Sequence, residues 1–323
     1  MTAAAVIATR NRPEPLRRCL QSIETQALAP QEVVVVDSSD NDATESVVGE
    51  FAASPSIRFR YEHTAVRSAA QQRNIGARLI DSDIVFFLDD DVALESKFFA
   101  AIVTLFEGDP ECRIGGISGT ISNQVYSPPR GFNRFLLSLC TGEPRGDYAG
   151  RLMGPAINFL PSDGNKRVQE VEWLPSGCTA YRTDVFLRHE FAAFEGYSFA
   201  EDVHLSARIA KTHTLLNTTA ARLFHEDLGQ LTHKNWRAIG ESVFWNRHLI
   251  MTAVLGRVTL SHYLRLLFFE LVYSPIAYMA GGVSRRRILN QIQLCLGKSR
   301  AALAILMGRR VHAASKPPAA ERA

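Results

Sequence analysis

The chain has 323 residues, 46% of them apolar and 21% charged, with a net charge of +3. That length allows one large domain or two modest ones, and the composition is that of a globular protein. The five cysteines, Cys19, Cys112, Cys140, Cys178 and Cys295, are scattered and form no CxxC pair. This argues against a disulfide framework or a zinc site and for a reducing compartment.

The charge is unevenly divided. Residues 1–229 carry 22 Lys+Arg against 30 Asp+Glu, whereas residues 230–323 carry 14 against 3. An acidic body and a basic C-terminal part are expected to meet different surroundings. No secretory leader is expected at the N-terminus, because the basic residues of "AAAVIATRNRP" follow the apolar run instead of preceding it.

"AAAVIAT", Ala3 to Thr9, reads as a short buried strand. In the next segment Leu16, Cys19, Leu20 and Ile23 fall on one helical face, with Pro13 and Pro15 suited to the first turn. A second strand covers Glu32 to Val36, and "ATESVVGEFAA" resumes a helix. A third strand has Ile57, Phe59 and Tyr61 alternating. "VRSAAQQRNIGARLI" is a helix and "DIVFFLDDD" a fourth strand. Alternating helices and continuous apolar strands are the pattern of a mostly parallel α/β sheet covered on both faces. In such sheets a ligand sits at the carboxyl ends of the strands. The polar clusters "TRNRP", "DSSDND" and "DDD" all fall there.

The middle of the chain is less regular. "GGISGTISNQ" resembles a strand with turns, and residues 126–155 a loop with a short helix. "VEWLPSGCTAYRTDVF" holds a strand, a Gly-containing turn and a helix start, and "FAEDVHLSARIAKT" is a helix. From about Leu231 two long apolar helical stretches follow, Trp236 to Gly256 and Leu260 to Gly282. The second contains Arg265, Glu270 and Pro275, which disfavour a bilayer span. It reads as an interfacial helix, with a buried soluble helix pair and a true span left as alternatives. "SRRR", Ser284 to Arg287, suits anionic headgroups or a solvated basic face. The expected organisation is a domain over 1–230, a basic helical extension over 231–312 and a disordered tail over 313–323.

The chemistry concentrates in Asp89, Asp90 and Asp91, three like charges behind a buried strand. A hard divalent cation, Mg²⁺ or Mn²⁺, removes their repulsion and prefers carboxylate oxygens. A solvated acidic turn is the competing explanation.

Read together, "VIATRNRPEPLRRCLQSIETQ", "EVVVVDSSDNDAT", "QQRNIGARL", "DIVFFLDDDVAL", "SGCTAYRTDVF" and "AEDVHLSARI" resemble glycosyltransferase family 2, nucleotide-sugar transferases of the GT-A fold. The resemblance covers about residues 3–230, in the family's order and spacing. It implies that Asp37 meets the nucleotide base and that Thr9, Arg10 and Arg73 approach the donor. It also implies that Asp89 contacts the ribose, with Asp90 beside it, and that Asp91 binds the metal together with a late histidine, His225. Glu201 and Asp202 match the family's acidic pair, with Asp202 as general base. Trp173, Gly177 and Cys178 match the segment before the acceptor site. Family members usually have Ser where this chain has Asp40, and Asp42 and Thr44 read as caps of the next helix.

Each role has a plainer alternative: Asp37 and Glu201–Asp202 as turn or helix caps, Trp173 as core, and His225 as structural. The processive Gln-x-x-Arg-Trp motif is absent, since "QLTHKNW" has the wrong spacing. The resemblance therefore implies metal-dependent, inverting transfer of one sugar from a nucleotide diphosphate donor to a glycan or lipid-linked acceptor. Its setting would be surface polysaccharide or glycolipid assembly, in the cytoplasm or at the inner face of the plasma membrane. No nucleic-acid partner is expected. The rival reading is a non-catalytic nucleotide-sugar or glycan-binding protein on the same fold, which predicts a lost base or metal site. A nucleotidyltransferase is disfavoured because "ATRNRPEP" is no Gly-rich phosphate loop.

Overall fold

A computed structural model describes residues 1–124, 126–144, 147–162, 167–226, 235–280 and 282–308. The chain runs β1 (Ala3–Thr9), α1 (Pro13–Glu24), β2 (Glu32–Asp37), α2 (Ala43–Glu50), β3 (Arg58–His63), α3 (Ala69–Arg78) and β4 (Ile84–Asp89). It continues with β5 (Val92–Leu94), α4 (Phe98–Glu107), β6 (Ile114–Ile121), α5 (Gly131–Thr141), β7 (Leu152–Met153), β8 (Ile157–Asn158), β9 (Val168–Val171) and β10 (Cys178–Arg182). Then come α6 (Thr183–His189), α7 (Glu201–Ile209) and β11 (Thr214–His225). The C-terminal helices are α8 (Trp236–Leu249), α9 (Leu260–Phe268), α10 (Ser274–Ala280) and α11 (Arg285–Leu306). Two π turns, Ile250–Val254 and Phe269–Tyr273, extend α8 and join α9 to α10.

The main sheet has the order β3-β2-β1-β4-β10-β6-β11-β5, with β9 also paired to β11. Strands β1 to β4 are mutually parallel, and β10 enters antiparallel between β4 and β6. The continuous apolar runs are explained by burial on both faces. Ile7, Val35, Phe86 and Leu88 face one helical layer, while Val6, Val34, Val36 and Phe87 face the other. In α1 the buried residues are Leu16, Cys19, Leu20 and Ile23, and Pro13 opens the helix at a position that needs no amide donor.

The parallel half therefore matches its expectation. Three elements differ from the sequence reading. A strand of 12 residues, β11, stands where the sequence analysis placed none; two of its buried positions are polar, Asn217 and Thr218, and its pairing with β6 carries a register shift. The basic segment "SRRR" opens a helix of 22 residues, α11, with Ser284 accepting the Arg287 amide as its cap. At α2, Asp42 holds the N-cap position without a side-chain cap bond, and Thr44 instead pairs with the Ser39 hydroxyl at 3.0 Å.

No helix among the described residues is long and apolar enough to cross a membrane. The helical extension packs on the sheet domain: Ile250 and Val254 join Trp173, Val203 and Ala207 in one apolar cluster. The charge inside its apolar stretch is explained by a buried triad. Glu270, 1% exposed, pairs with Arg247 and with Lys298, each at 2.6 Å. Arg247 also reaches the Ala156 carbonyl in the sheet domain. "QLTHKNW" from Gln230 to Lys234 and the tail 313–323 lie outside the described residues.

Candidate active site

Register brings the polar strand ends together. Thr9 at the end of β1 is level with Asp37 at the end of β2, and Ala8 is level with Asp89 at the end of β4. On the other side β11 delivers His225 opposite Val92, directly after the acidic triplet. Segments far apart in sequence thus converge on Asp89–Asp91.

The triplet's members separate by direction. Asp89 pairs with Arg73, and its other oxygen lies 3.6 Å from His225 Nε2. Asp91 Oδ1 lies 3.1 Å from the same His225 nitrogen. Ligand atoms of Asp89, Asp91 and His225 all fall within 4.8 Å of one another. Asp90 turns away: Thr9 Oγ1 donates to it at 2.6 Å, and Arg12 donates to its other oxygen at 2.6 Å. Arg12 also donates to Asp91 at 2.6 Å, so one guanidinium bridges two carboxylates.

These pairings answer the electrostatic puzzle of the triplet. Burial raises the Asp89 pKa, but Arg73 and His225 outweigh it and hold the carboxyl down to about 2. Asp91 is likewise held below its ordinary value against burial, by His225 and Arg12. For Asp90, burial wins over the Thr9 and Arg12 contacts and pushes it up to about 6. Hydrogen bonds to Asp89 and Asp91 raise His225 to about 10. His225 is further fixed by Gln124, whose amide nitrogen lies 3.3 Å from Nδ1, and by Asn123, which exchanges two hydrogen bonds with its backbone.

Two carboxylates and an imidazole nitrogen, held by outer hydrogen bonds, are a donor set that fits a hard divalent cation of the Mg²⁺ or Mn²⁺ kind. Arg12 is the residue the sequence reading passed over, although it lies in the same "TRNRP" loop as Thr9 and Arg10. The available signal was charge balance, since three adjacent carboxylates, two of them buried, need cations near them.

Other candidates sit as follows. Asp37 is fully buried and accepts from the Ser39 amide at 2.9 Å, the Ser39 hydroxyl at 2.5 Å and the Tyr61 hydroxyl at 3.0 Å. It therefore holds the turn after β2, whatever else it meets. Arg10 is exposed and leans on Asp40 at 3.4 Å. Gln72 ties the ends of β1 and β2 by donating to the carbonyls of Thr9 and Val36. Arg73 lies over the Phe191 ring at 5.7 Å and 3.9 Å from Glu201, linking the triplet to the acidic pair.

The acidic pair occupies the first turn of α7, where the helix dipole favours carboxylates. The Val203 amide donates to Asp202 Oδ1 at 2.7 Å. Burial first, and then the neighbouring Glu201 charge, push Asp202 up to about 7. Ala200, just before it, has a φ of 61°, a left-handed conformation costly for a side-chain-bearing residue.

Two acceptor-side expectations are corrected. Trp173 is 4% exposed and its indole N–H donates to the Phe159 carbonyl at 2.7 Å, so its ring is core and offers no face to a sugar. Cys178 is fully buried behind the triplet, with burial pushing its thiol far up, and so supplies packing rather than a contact. Gly177 does lie at the site. A Cβ there would stand 2.0 Å from an Asp89 oxygen, so a side chain at this position would have to push the Asp89 carboxylate aside. Gly177→Ala is expected to displace the Asp89 carboxylate and cut turnover by about 10²-fold. Steady-state rates of nucleotide diphosphate release check this, and an unchanged rate would show that Asp89 does not need its place.

Residues 4–154 match the family model described as Glycosyl transferase family 2. That match is a likeness of residues 4–154, just under half of the chain, to this family. Validoxylamine A glucosyltransferase of Streptomyces hygroscopicus subsp. limoneus is 25% identical over 173 residues, 53% of this chain and 33% of the relative. The same enzyme from subsp. jinggangensis gives 25% over 173 residues and 36% of its length. The chain thus matches only about a third of these curated relatives. Among solved structures, GalNAc-T7 with UDP, GalNAc and Mn²⁺ superposes with a TM-score of 0.57 at 15% identity, covering 86% of this chain and 57% of that one. The mannosyltransferase PcManGT of Pyrobaculum calidifontis, with GDP-Man and Mn²⁺, gives 0.55 at 17% identity, covering 95% and 88%. At such identities these structures show the fold alone, that of the GT-A glycosyltransferases.

Proposed function

We propose that this chain is a metal-dependent, inverting glycosyltransferase that moves one sugar from a nucleotide diphosphate donor to an acceptor hydroxyl. The observation that carries the reading is the Asp89–Asp91–His225 donor set within 4.8 Å, linked through Arg73 to Glu201. The structural relatives bound to UDP or GDP-Man with Mn²⁺ support the same chemistry.

In this reading Asp91 and His225, with Asp89 beside them, would hold Mg²⁺ or Mn²⁺, which would supply positive charge for the leaving diphosphate. Asp37 and Thr9, both buried, hold the level strand ends against which the nucleotide end of the donor would lie. Asp89 faces the ribose, its carboxylate oriented by Arg73. Arg12 and Asp90 position the triplet from behind. Asp202 takes the proton of the acceptor hydroxyl, its basicity raised by burial and by Glu201. Attack from the side opposite the diphosphate inverts the anomeric carbon.

The basic, apolar outer face of the helical extension supports a lipid-linked acceptor, as used in surface polysaccharide or glycolipid assembly. The test is nucleotide diphosphate release by wild type and Asp202→Asn in the presence of Mn²⁺. Equal release by the two would remove Asp202 from catalysis.

A further inference from the structure

Helix α11 is built inside out. In α11 the buried residues are Gln291, Gly297, Lys298, Ala301, Ala302 and Ala304. Ile288, Leu289, Ile292, Leu296, Leu303 and Leu306 point outward, each at least 42% exposed. The small residues explain how the helix docks. A Cβ at Gly297 would stand 1.9 Å from the Arg237 carbonyl, and one at Gly240 would stand 2.2 Å from the Leu294 carbonyl, so α8 and α11 touch backbone to backbone. Small residues between helices with large aliphatic ones outside is how helices pack when their surroundings are lipid, not water.

The neighbouring elements repeat the inversion. On α5, Leu137 and Cys140 face inward, while Phe132, Phe135 and Leu139 are 73%, 55% and 45% exposed. On the α9–α10 rod, Leu260, Leu264, Val272 and Ile276 recur at multiples of four residues and are 74%, 57%, 41% and 52% exposed. Helix α5 packs on α9 and the π turn that follows it, and that π turn and α10 pack on α11. The Tyr273 hydroxyl donates to Asn133 at 2.9 Å and fixes α5 to the rod. Between α10 and α11 lies an open apolar groove of about 350 Å³, lined by Met279, Ile288, Ile292, Cys295 and Leu296. This is far more exposed aliphatic surface than scattered residues account for.

We propose that α5, the α9–α10 rod and α11 form a face that docks in the interfacial region of an anionic lipid bilayer. Charge favours lipid over a second copy of the chain. Residues 230–323 carry 14 Lys+Arg against 3 Asp+Glu, and a like-charged copy would be repelled. Arg285 and Arg286 are exposed at the start of α11, beside the apolar residues, where headgroup phosphates would neutralise them. No helix among the described residues spans a bilayer, so the contact is interfacial. The inference stands independently of the sugar-transfer reading.

Sedimentation with lipid vesicles tests it, using the full chain. With vesicles of phosphatidylcholine containing phosphatidylglycerol the wild type is expected to pellet, and added salt should weaken binding. Arg285→Gln/Arg286→Gln should bind roughly tenfold more weakly or worse. Phe132→Ser/Ile292→Ser, which changes only outward side chains, should bind more weakly without altering the circular-dichroism spectrum. Wild type left in the supernatant, or variants that bind as well as wild type, would overturn the proposal. So would a dimer by light scattering that Phe132→Ser/Ile292→Ser converts to monomer without any vesicle binding, since a second copy would then be the occupant.

Discussion

Asp202→Asn is expected to lower nucleotide diphosphate release by about 10²–10⁴-fold, the usual contribution of a positioned general base. The amide keeps the size of the side chain but cannot accept the acceptor's proton. The effect should fall on turnover, with donor affinity nearly unchanged, because Asp202 lies on α7 and the donor-side residues lie on the strand ends. The wild-type rate should also rise with pH through about 7, where Asp202 loses its proton, and be suppressed below it. The linked stability term has the opposite slope. A folded-state pKa raised above the unfolded carboxylate value favours the protonated form, so this contribution is full below about 4 and lost as pH rises through about 7. A rate profile flat across that window, or an asparagine variant with wild-type turnover, would remove the base from Asp202.

Glu270→Ala is expected to cost about 3–5 kcal/mol of stability, because it leaves the Arg247 and Lys298 charges buried without a counter-ion. Both cations are nearly enclosed, at 6% and 5% side-chain exposure. Burial raises the Glu270 pKa, but Arg247 and Lys298 outweigh it and leave it below the ordinary carboxylate range. Its contribution is therefore present above the unfolded carboxylate value and lost as pH falls through the folded one. Replacing all three residues together, Arg247→Met/Glu270→Leu/Lys298→Met, should cost much less, since no orphan charge remains. Urea denaturation of the two variants distinguishes these outcomes. A loss for Glu270→Ala below about 1 kcal/mol would show that the triad is solvated as a surface pair would be.

The parallel half of the fold was legible because its strands are continuous apolar runs and its helices carry one apolar stripe, as with Leu16, Cys19, Leu20 and Ile23 on α1. The late strand β11 was not, because Asn217 is buried there by donating to the Ser118 and Gly119 carbonyls, a compensation no periodicity shows. The helical extension misleads a reading by hydrophobicity for a physical reason. On α11 small residues and Lys298 face inward and the large aliphatic ones outward, the reverse of a soluble helix. At the site, motif order named Asp89, Asp91, His225, Glu201 and Asp202. It could not say that Asp90 turns toward Thr9 and Arg12, or that Trp173 is enclosed, because side-chain direction depends on contacts distant in sequence.

The central claim, a cation site that receives a nucleotide diphosphate, is tested most directly by thermal unfolding of wild type and Asp91→Asn with a panel of nucleoside diphosphates, with and without Mn²⁺. A ligand that binds only the folded state at 100 times its Kd stabilises by about 2.7 kcal/mol. At least one diphosphate should raise the wild-type melting temperature only when Mn²⁺ is present, and Asp91→Asn should abolish that rise. A wild type indifferent to every diphosphate, or an Asp91→Asn variant that keeps the Mn²⁺-dependent rise, would contradict the account.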